Sequence, residues 1–300
     1  MNPIVEMTDD PKDPVPLVEL KQHLVVFVED PPGPVSARKV YDLYLQNYGD
    51  VFKIYKSTFE GPLAQDWDRA ARARFEQDEL PALRQTTDWG YGFSDDKPRD
   101  SWLFMFHGFR PTEVPEKASF YRFEFDWDVD PTSLRSFAWQ MSQEVEFLSG
   151  YGGFFLQGRP HSPDETESFD RIFALAMRYW GCEVVDVELT AAEMKKGYKC
   201  VNWLTLIGEP FRSKFPEQIT RARSVAYSSE ESRNGVLLQA SERPLLGDRN
   251  RLANMDGYSK IAEALLPLQI TEHAEFFGDL WTEENTMTWL RRFTRPHRVV

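Results

Sequence analysis

The sequence predicts an α+β fold, a mainly antiparallel sheet flanked by amphipathic helices, and three observations carry that prediction. Between positions 120 and 129, Tyr121, Phe123, Phe125, Trp127 and Val129 alternate with Arg122, Glu124, Asp126, Asp128 and Asp130, the period of a strand that packs one face and wets the other. A sheet wet on one face is characteristically antiparallel, because parallel strands are covered on both sides by crossover helices. Directly afterwards Leu134, Phe137, Met141, Val145 and Leu148 trace one apolar stripe at helical spacing, opened by Asp130 as N-cap and Pro131 in the first turn. Residues 24–28 and 201–207 are short apolar runs rich in β-branched and aromatic side chains, which favours buried strands.

Prolines at positions 3, 11, 14 and 16 interrupt any ladder, so residues 1–16 read as a flexible, acidic, proline-rich arm. Residues 17–290 form a single α+β domain and residues 291–300 a basic tail that frays. Strand 24–28 stops at Pro31-Pro32-Gly33-Pro34, and Val40, Leu43 and Tyr44 then set a helix over 35–47, ended by Gly49. Ala70, Ala71, Ala73 and Phe75 among arginines predict a second helix over 67–83. Residues 89–98, with glycines between Trp89, Tyr91 and Phe93, read as a turn-rich connection; they lack the strand-to-helix context and spacing of a nucleotide site. Strands at 102–109 and 120–129 precede the helix after Asp130, and 152–157 returns as a strand. Ser162-Pro163-Asp164-Glu165 is a capping box, followed by the stripe Phe169, Ile172, Phe173, Ala176 and Trp180. Residues 184–189 form a strand or extended arm. Thr190-Ala191-Ala192-Glu193, again with capping-box spacing, opens a short helix closed at Gly197. After strand 201–207, residues 228–234 are a polar linker and 236–239 a strand; Tyr258, Ile261, Ala262, Leu265 and Leu266 form a helix stopped by Pro267, and Trp289, Leu290 and Phe293 dock the last turn.

With 41% hydrophobic and 14% aromatic residues, 300 residues can bury a sizeable core. The formal charge is −13; residues 1–290 alone hold 31 basic against 48 acidic residues, a charge of −17. A phosphate backbone rewards lysine and arginine through counterion release, so nucleic-acid binding is disfavoured. An acidic body instead steers a basic partner, and solubility alone also explains many acidic proteins. Cys182 and Cys200 fit no metal or redox spacing and read as buried free thiols. Residues 1–16 show no secretory pattern and no apolar run reaches membrane-spanning length, so a cytoplasmic protein without membrane contact is expected.

The most diagnostic stretch is 199–208, Lys-Cys-Val-Asn-Trp-Leu-Thr-Leu-Ile-Gly. Asn202 and Thr205 in a buried strand need hydrogen-bond partners, since an unpaired buried amide or hydroxyl costs about 1–3 kcal/mol. Asn202, Trp203 and Thr205 are therefore read as structural rather than catalytic. The Asn-Trp-Leu-Thr segment resembles that of the type VI secretion system immunity protein family (TsiV-like), and residues 149–154 and 258–267 fall where that family places its other characteristic stretches. The family's helix after this strand ends in paired glycines, whereas here Pro216 follows Phe215. The resemblance implies a cytoplasmic antidote that binds and silences a toxin delivered between competing bacteria.

No catalytic residue is assigned. Asp126, Asp128 and Asp130 begin like an EF-hand loop, but Pro131 replaces the required glycine and Phe137 the closing carboxylate, so calcium binding fails. No two of His23, His107, His161, His273 and His297 share a metal-ligand spacing, and no metal or cofactor is expected. The expected activity is stoichiometric occlusion of a cognate, nuclease-like toxin with a basic surface. Candidate contacts from patterning are Glu124, Asp126 and Asp128, then Asp95 and Asp96. A carboxylate- or metal-dependent hydrolase and a regulatory subunit with a harmless partner remain alternatives, and self-association is open.

Overall fold

In the computed structural model, which describes residues 2–7, 16–57, 64–83, 89–95, 103–159 and 165–294, the chain is organised around one long strand. The first half contains β1 (Val5–Met7), β2 (Pro16–Val28), α1 (Pro34–Tyr48), β3 (Ile54–Ser57), β4 (Gln65–Asp66), α2 (Arg69–Arg74), α3 (Leu80–Ala82), β5 (Trp89–Ser94), β6 (Phe104–Gly108), β7 (Ser119–Asp126) and α4 (Pro131–Glu144). A π-turn joins α2 to α3. The second half contains β8 (Ser149–Gln157), α5 (Glu165–Arg178), β9 (Glu183–Val184), α6 (Val187–Ala191), β10 (Leu204–Gly208), α7 (Glu209–Lys214), α8 (Pro216–Val225), β11 (Ser228–Ser232), β12 (Gly235–Gln239), α9 (Asp256–Leu265) and α10 (Glu283–Leu290).

These strands form one sheet in the order β11-β12-β10-β8-β2-β7-β6-β5-β3-β4, with β1 on the start of β2 and β9 beside β8. The β8–β9 pairing is parallel; the other ladders are antiparallel. Register puts Leu24 opposite Phe123 and Gly152, and His23 opposite Glu124 and Gly153, so the two faces of the sheet can be followed across β7, β2 and β8.

Both faces are covered. On one, Tyr44 of α1 stacks on Phe104 and Phe123 with ring centroids 5.4 and 5.9 Å apart, and Phe137 of α4 meets Phe123 edge-on. The opposite face meets α6 and the C-terminal segment, where the ammonium of Lys199 lies over the rings of Tyr151, Phe276 and Trp289. This corrects the reading of β7 as half wet: Glu124 is 1% exposed and ion-paired with Arg122. Alternating charge tracked the strand's period but not its solvent exposure.

Other differences have local causes. Val5–Met7 pairs with the start of β2, so this part of the proline-rich arm does join a ladder, whereas residues 8–15 lie outside the described residues. Residues 89–94 are a strand, because Tyr91 and Phe93 bury one face while the glycines permit close approach; a Cβ on Gly90 would lie 3.0 Å from the Phe106 carbonyl oxygen. The polar stretch 228–234 is an edge strand and hairpin turn rather than a linker. Residues 187–191 are helical, capped by Asp186, so Thr190 sits inside α6 and is not a cap; its hydroxyl lies 3.0 Å from Nε2 of His273. The capping box at 162–165 lies mostly outside the described residues.

The Asp130 cap is present: its carboxylate accepts from the backbone N–H groups of Thr132 and Ser133. Asp130→Ala is expected to cost about 1 kcal/mol, read as a lowered midpoint in urea unfolding with an unchanged slope. Among the described residues, no helix is long and apolar enough to cross a membrane.

Candidate partner-binding site

At the end of the sheet where β2 stops and β8 begins, the surface falls into a cleft of about 730 Å³. Its walls follow from the chain path. Leu148 N–H donates to Phe27 O at 2.8 Å and Gly208 N–H to Leu148 O at 2.8 Å, tying the ends of β2 and β10 to the start of β8. Gly208 is required there, because a Cβ would lie 1.7 Å from the Phe147 carbonyl oxygen. Glu209 N–H donates to Asn234 O, and the Asn234 amide donates to Ser142 O at 3.1 Å and Gln143 O at 2.9 Å, fixing the hairpin turn against the end of α4.

The lining includes five carboxylates, Glu29, Asp30, Glu144, Glu146 and Glu209, against one guanidinium, Arg233. Between them Pro32 is half-buried, with Val28, Pro31, Val145 and Phe147 buried behind it as the apolar floor. The Lys39 ammonium, 2.8 Å away, holds the Glu144 carboxyl below its ordinary range, and hydrogen bonding from Ser213 together with Arg212 does the same for Glu209. Glu29, Asp30 and Glu146 are exposed. Such a recess attracts and orients cationic side chains.

The residues singled out from sequence lie elsewhere. Glu124 is inside the sheet's covered face, as above. Asp126 and Asp128 are exposed at and just beyond the end of β7, and Asp95 is exposed after β5. Register places these at the end of the sheet opposite the cleft, since Asp126 faces Lys21 near the start of β2. Asp96 lies outside the described residues. The cleft acids were missed because they stand singly or in pairs at the ends of apolar elements, gathered only by topology. That position, shared by Glu29, Glu144 and Glu209, was the available signal.

The densest polar cluster is sealed in the interior. Glu183 meets the Lys199 ammonium at 2.8 Å, accepts from the Asn202 amide at 2.6 Å and from the Cys200 thiol at 3.3 Å, and lies 3.7 Å from Arg292. Burial pushes the Glu183 carboxyl up, but Lys199, Arg292 and the hydrogen bonds outweigh it and hold it below the usual range. Burial raises the Cys200 thiol to about 12 and raises Cys182 further, so both stay protonated. Trp203 donates to Ser241 O at 2.8 Å, and Thr205 Oγ1 accepts from Asn202 N at 3.2 Å. Arg292, expected in a solvated tail, is 3% exposed and donates to Trp180 O at 2.7 Å. With no route to solvent for Glu183 and Lys199, the cluster braces the fold rather than meeting a substrate. Among the described residues, no group of three or more His, Cys, Asp and Glu is placed to hold a metal ion.

A family model described as TsiV, type VI immunity for VRR-NUC, matches residues 41–293. The structure resembles that of the Pseudomonas aeruginosa T6SS protein PA0821, with a TM-score of 0.74 and 17% identity over 93% of this chain and 85% of that one. At that identity the likeness speaks for the fold. No curated protein sequence matches.

Proposed function

We propose that this chain, which belongs to the TsiV family, type VI immunity for VRR-NUC, neutralises a VRR-NUC nuclease toxin by stoichiometric binding. The acidic cleft covers the basic surface with which such a nuclease holds DNA, and no substrate is turned over. The protein acts in the cytoplasm, where an incoming nuclease meets its target. The observation that carries this reading is the convergence of Glu29, Asp30, Glu144, Glu146 and Glu209 on one apolar-floored recess. Carboxylates at the rim speed encounter with a cationic partner, while the apolar floor supplies the desolvated contact that slows release.

The test uses the cognate toxin, purified as a catalytically disabled protein, in surface-plasmon-resonance kinetics and in a survival assay with active toxin. Reversing Glu29 and Glu146 to lysine is expected to slow association about 10- to 100-fold, to flatten its dependence on salt, and to abolish protection. Reversing Asp126 and Asp128 should leave both unchanged. The opposite pattern would move the interface to the other end of the sheet, and a chain that neither binds nor protects would remove the proposal.

A further inference from the structure

Leu252 combines two anomalies. Among the described residues it is the one non-glycine in the left-handed region, with φ +51°, and it is also the most exposed large apolar side chain, at 88%. Neither is accidental flexibility, because the loop is framed by hydrogen bonds. Leu252 N–H donates to Arg249 O at 3.1 Å and Ala253 N–H to Asp248 O at 3.2 Å. Asp248 caps Asn250 N–H at 3.0 Å and is gripped by both Nε and Nη2 of Arg178, at 3.2 and 2.9 Å. Arg249 lies 4.5 Å over the Trp180 ring. The fold thus holds a leucine outward on strained backbone, beside Arg178, Arg249 and Arg251 against the single carboxylate of Asp248, which Arg178 and Arg251 share, in a chain whose charge is −13.

A cationic apolar knob fits an apolar recess rimmed by carboxylates, and this chain carries one. The cleft offers the half-buried Pro32 over a buried floor of Val28, Pro31, Val145 and Phe147, beneath the exposed Glu29, Asp30 and Glu146. Knob and cleft lie at opposite ends of the sheet. β12 starts at Gly235 beside the cleft and runs away from it to Gln239. Beyond it, Trp180 N–H donates to Gly247 O and Tyr179 bridges Asp248, next to β9, which pairs with the far end of β8.

We propose that copies of this chain dock head to tail, the loop at 249–252 of one entering the acidic cleft of the next. This goes beyond the toxin reading and does not depend on it; a toxin and a second copy exclude each other at the cleft. Such a contact is heterologous and leaves a free knob and a free cleft on every pair, so it continues past a dimer, into a ring or an open chain.

The test is sedimentation velocity of the purified full-length chain, without toxin, over a concentration series into the high-micromolar range. Wild type should grow past dimer, and raised salt should dissociate it. Leu252→Gly, which suits left-handed backbone, and the Glu29→Lys, Glu146→Lys double variant should each weaken association at least about tenfold. Thermal melts of both serve as the folding control. Mixing the two variants leaves one intact knob and one intact cleft, and should give a heterodimer that grows no further. A wild type that stays monomeric, association that persists in Leu252→Gly, or a mixture that stays monomeric overturns the proposal. Any of these leaves the toxin-binding result standing.

Discussion

Glu183→Ala is expected to destabilise the protein by about 3–5 kcal/mol, the loss that follows when one partner of a buried ion pair is removed and the other stays buried. Here two cations would be stranded. Lys199 has a side chain with no exposed surface, 2.8 Å from the carboxylate, and Arg292 lies 3.7 Å away. Water cannot replace the lost charge at a wholly enclosed site. The ring faces of Tyr151, Phe276 and Trp289 around Lys199 offset part of it, since each presents partial negative charge to the ammonium. Urea unfolding should show the loss directly, and the thermal midpoint should fall by roughly 10 °C. Glu183→Gln, which keeps the shape, should cost nearly as much, and adding Lys199→Met should recover part of it, because the second change removes a stranded charge. A single-variant loss under about 1 kcal/mol would mean that the cluster is not the brace its geometry describes. The consequence reaches the chain end: Arg292 donates to both Trp180 O and Trp289 O, so losing Glu183 should loosen the segment after α10.

That brace shows where sequence reading succeeds and where it stops. The α+β class was legible because Leu134, Phe137 and Met141 repeat at 3.6 while Tyr121, Phe123 and Phe125 repeat at 2, and both sets are buried. The demand of Asn202 for a partner was legible too, but not that Glu183 would supply it from 19 positions upstream. Glu124 misled for a related reason. Alternation reports which residues share a face, and exposure is decided by what the rest of the chain lays over that face; here it is α6 and the C-terminal segment. The cleft was hard to read because Glu29, Glu146 and Glu209 are far apart in sequence, marked only by standing beside the ends of apolar elements, and meet through the antiparallel order of β2, β8 and β10. Leu252 carries no local signal, since nothing in its neighbours announces a left-handed backbone.

Lowering the pH from 7 to 5 is expected to cost about 4 kcal/mol of stability, shared between two histidines that the fold keeps neutral. His23 stacks on Phe155 at 4.7 Å, neither ring nitrogen has a hydrogen-bond partner among the described residues, and the groups acting on it are Glu183, Arg122 and Lys199, with Glu124 opposite it on β7. Burial pulls it down to about 3; Glu183 works against this, and Arg122 and Lys199 reinforce it. Burial, aided by Lys199, takes His273 to about 4. Its Nδ1–H donates to Ala274 O at 2.7 Å, leaving Nε2 to accept from the Thr190 hydroxyl. In the unfolded chain both titrate near their ordinary value of about 6.5, so below that pH the unfolded state binds two protons that the folded state refuses. The stability is whole above about 6.5 and drains as pH falls toward the folded values, about 2 kcal/mol per histidine by pH 5. Glu183, held low, adds a loss of the same sign in more acid solution, whereas Asp186, raised by burial, opposes it just above the ordinary carboxylate range. His23→Phe keeps a ring against Phe155 and removes the proton, so the loss between pH 7 and 5 should halve to about 2 kcal/mol. Urea unfolding at the two pH values checks both numbers, and equal stability at pH 7 and 5 would show that the unfolded chain gains no protons the fold excludes.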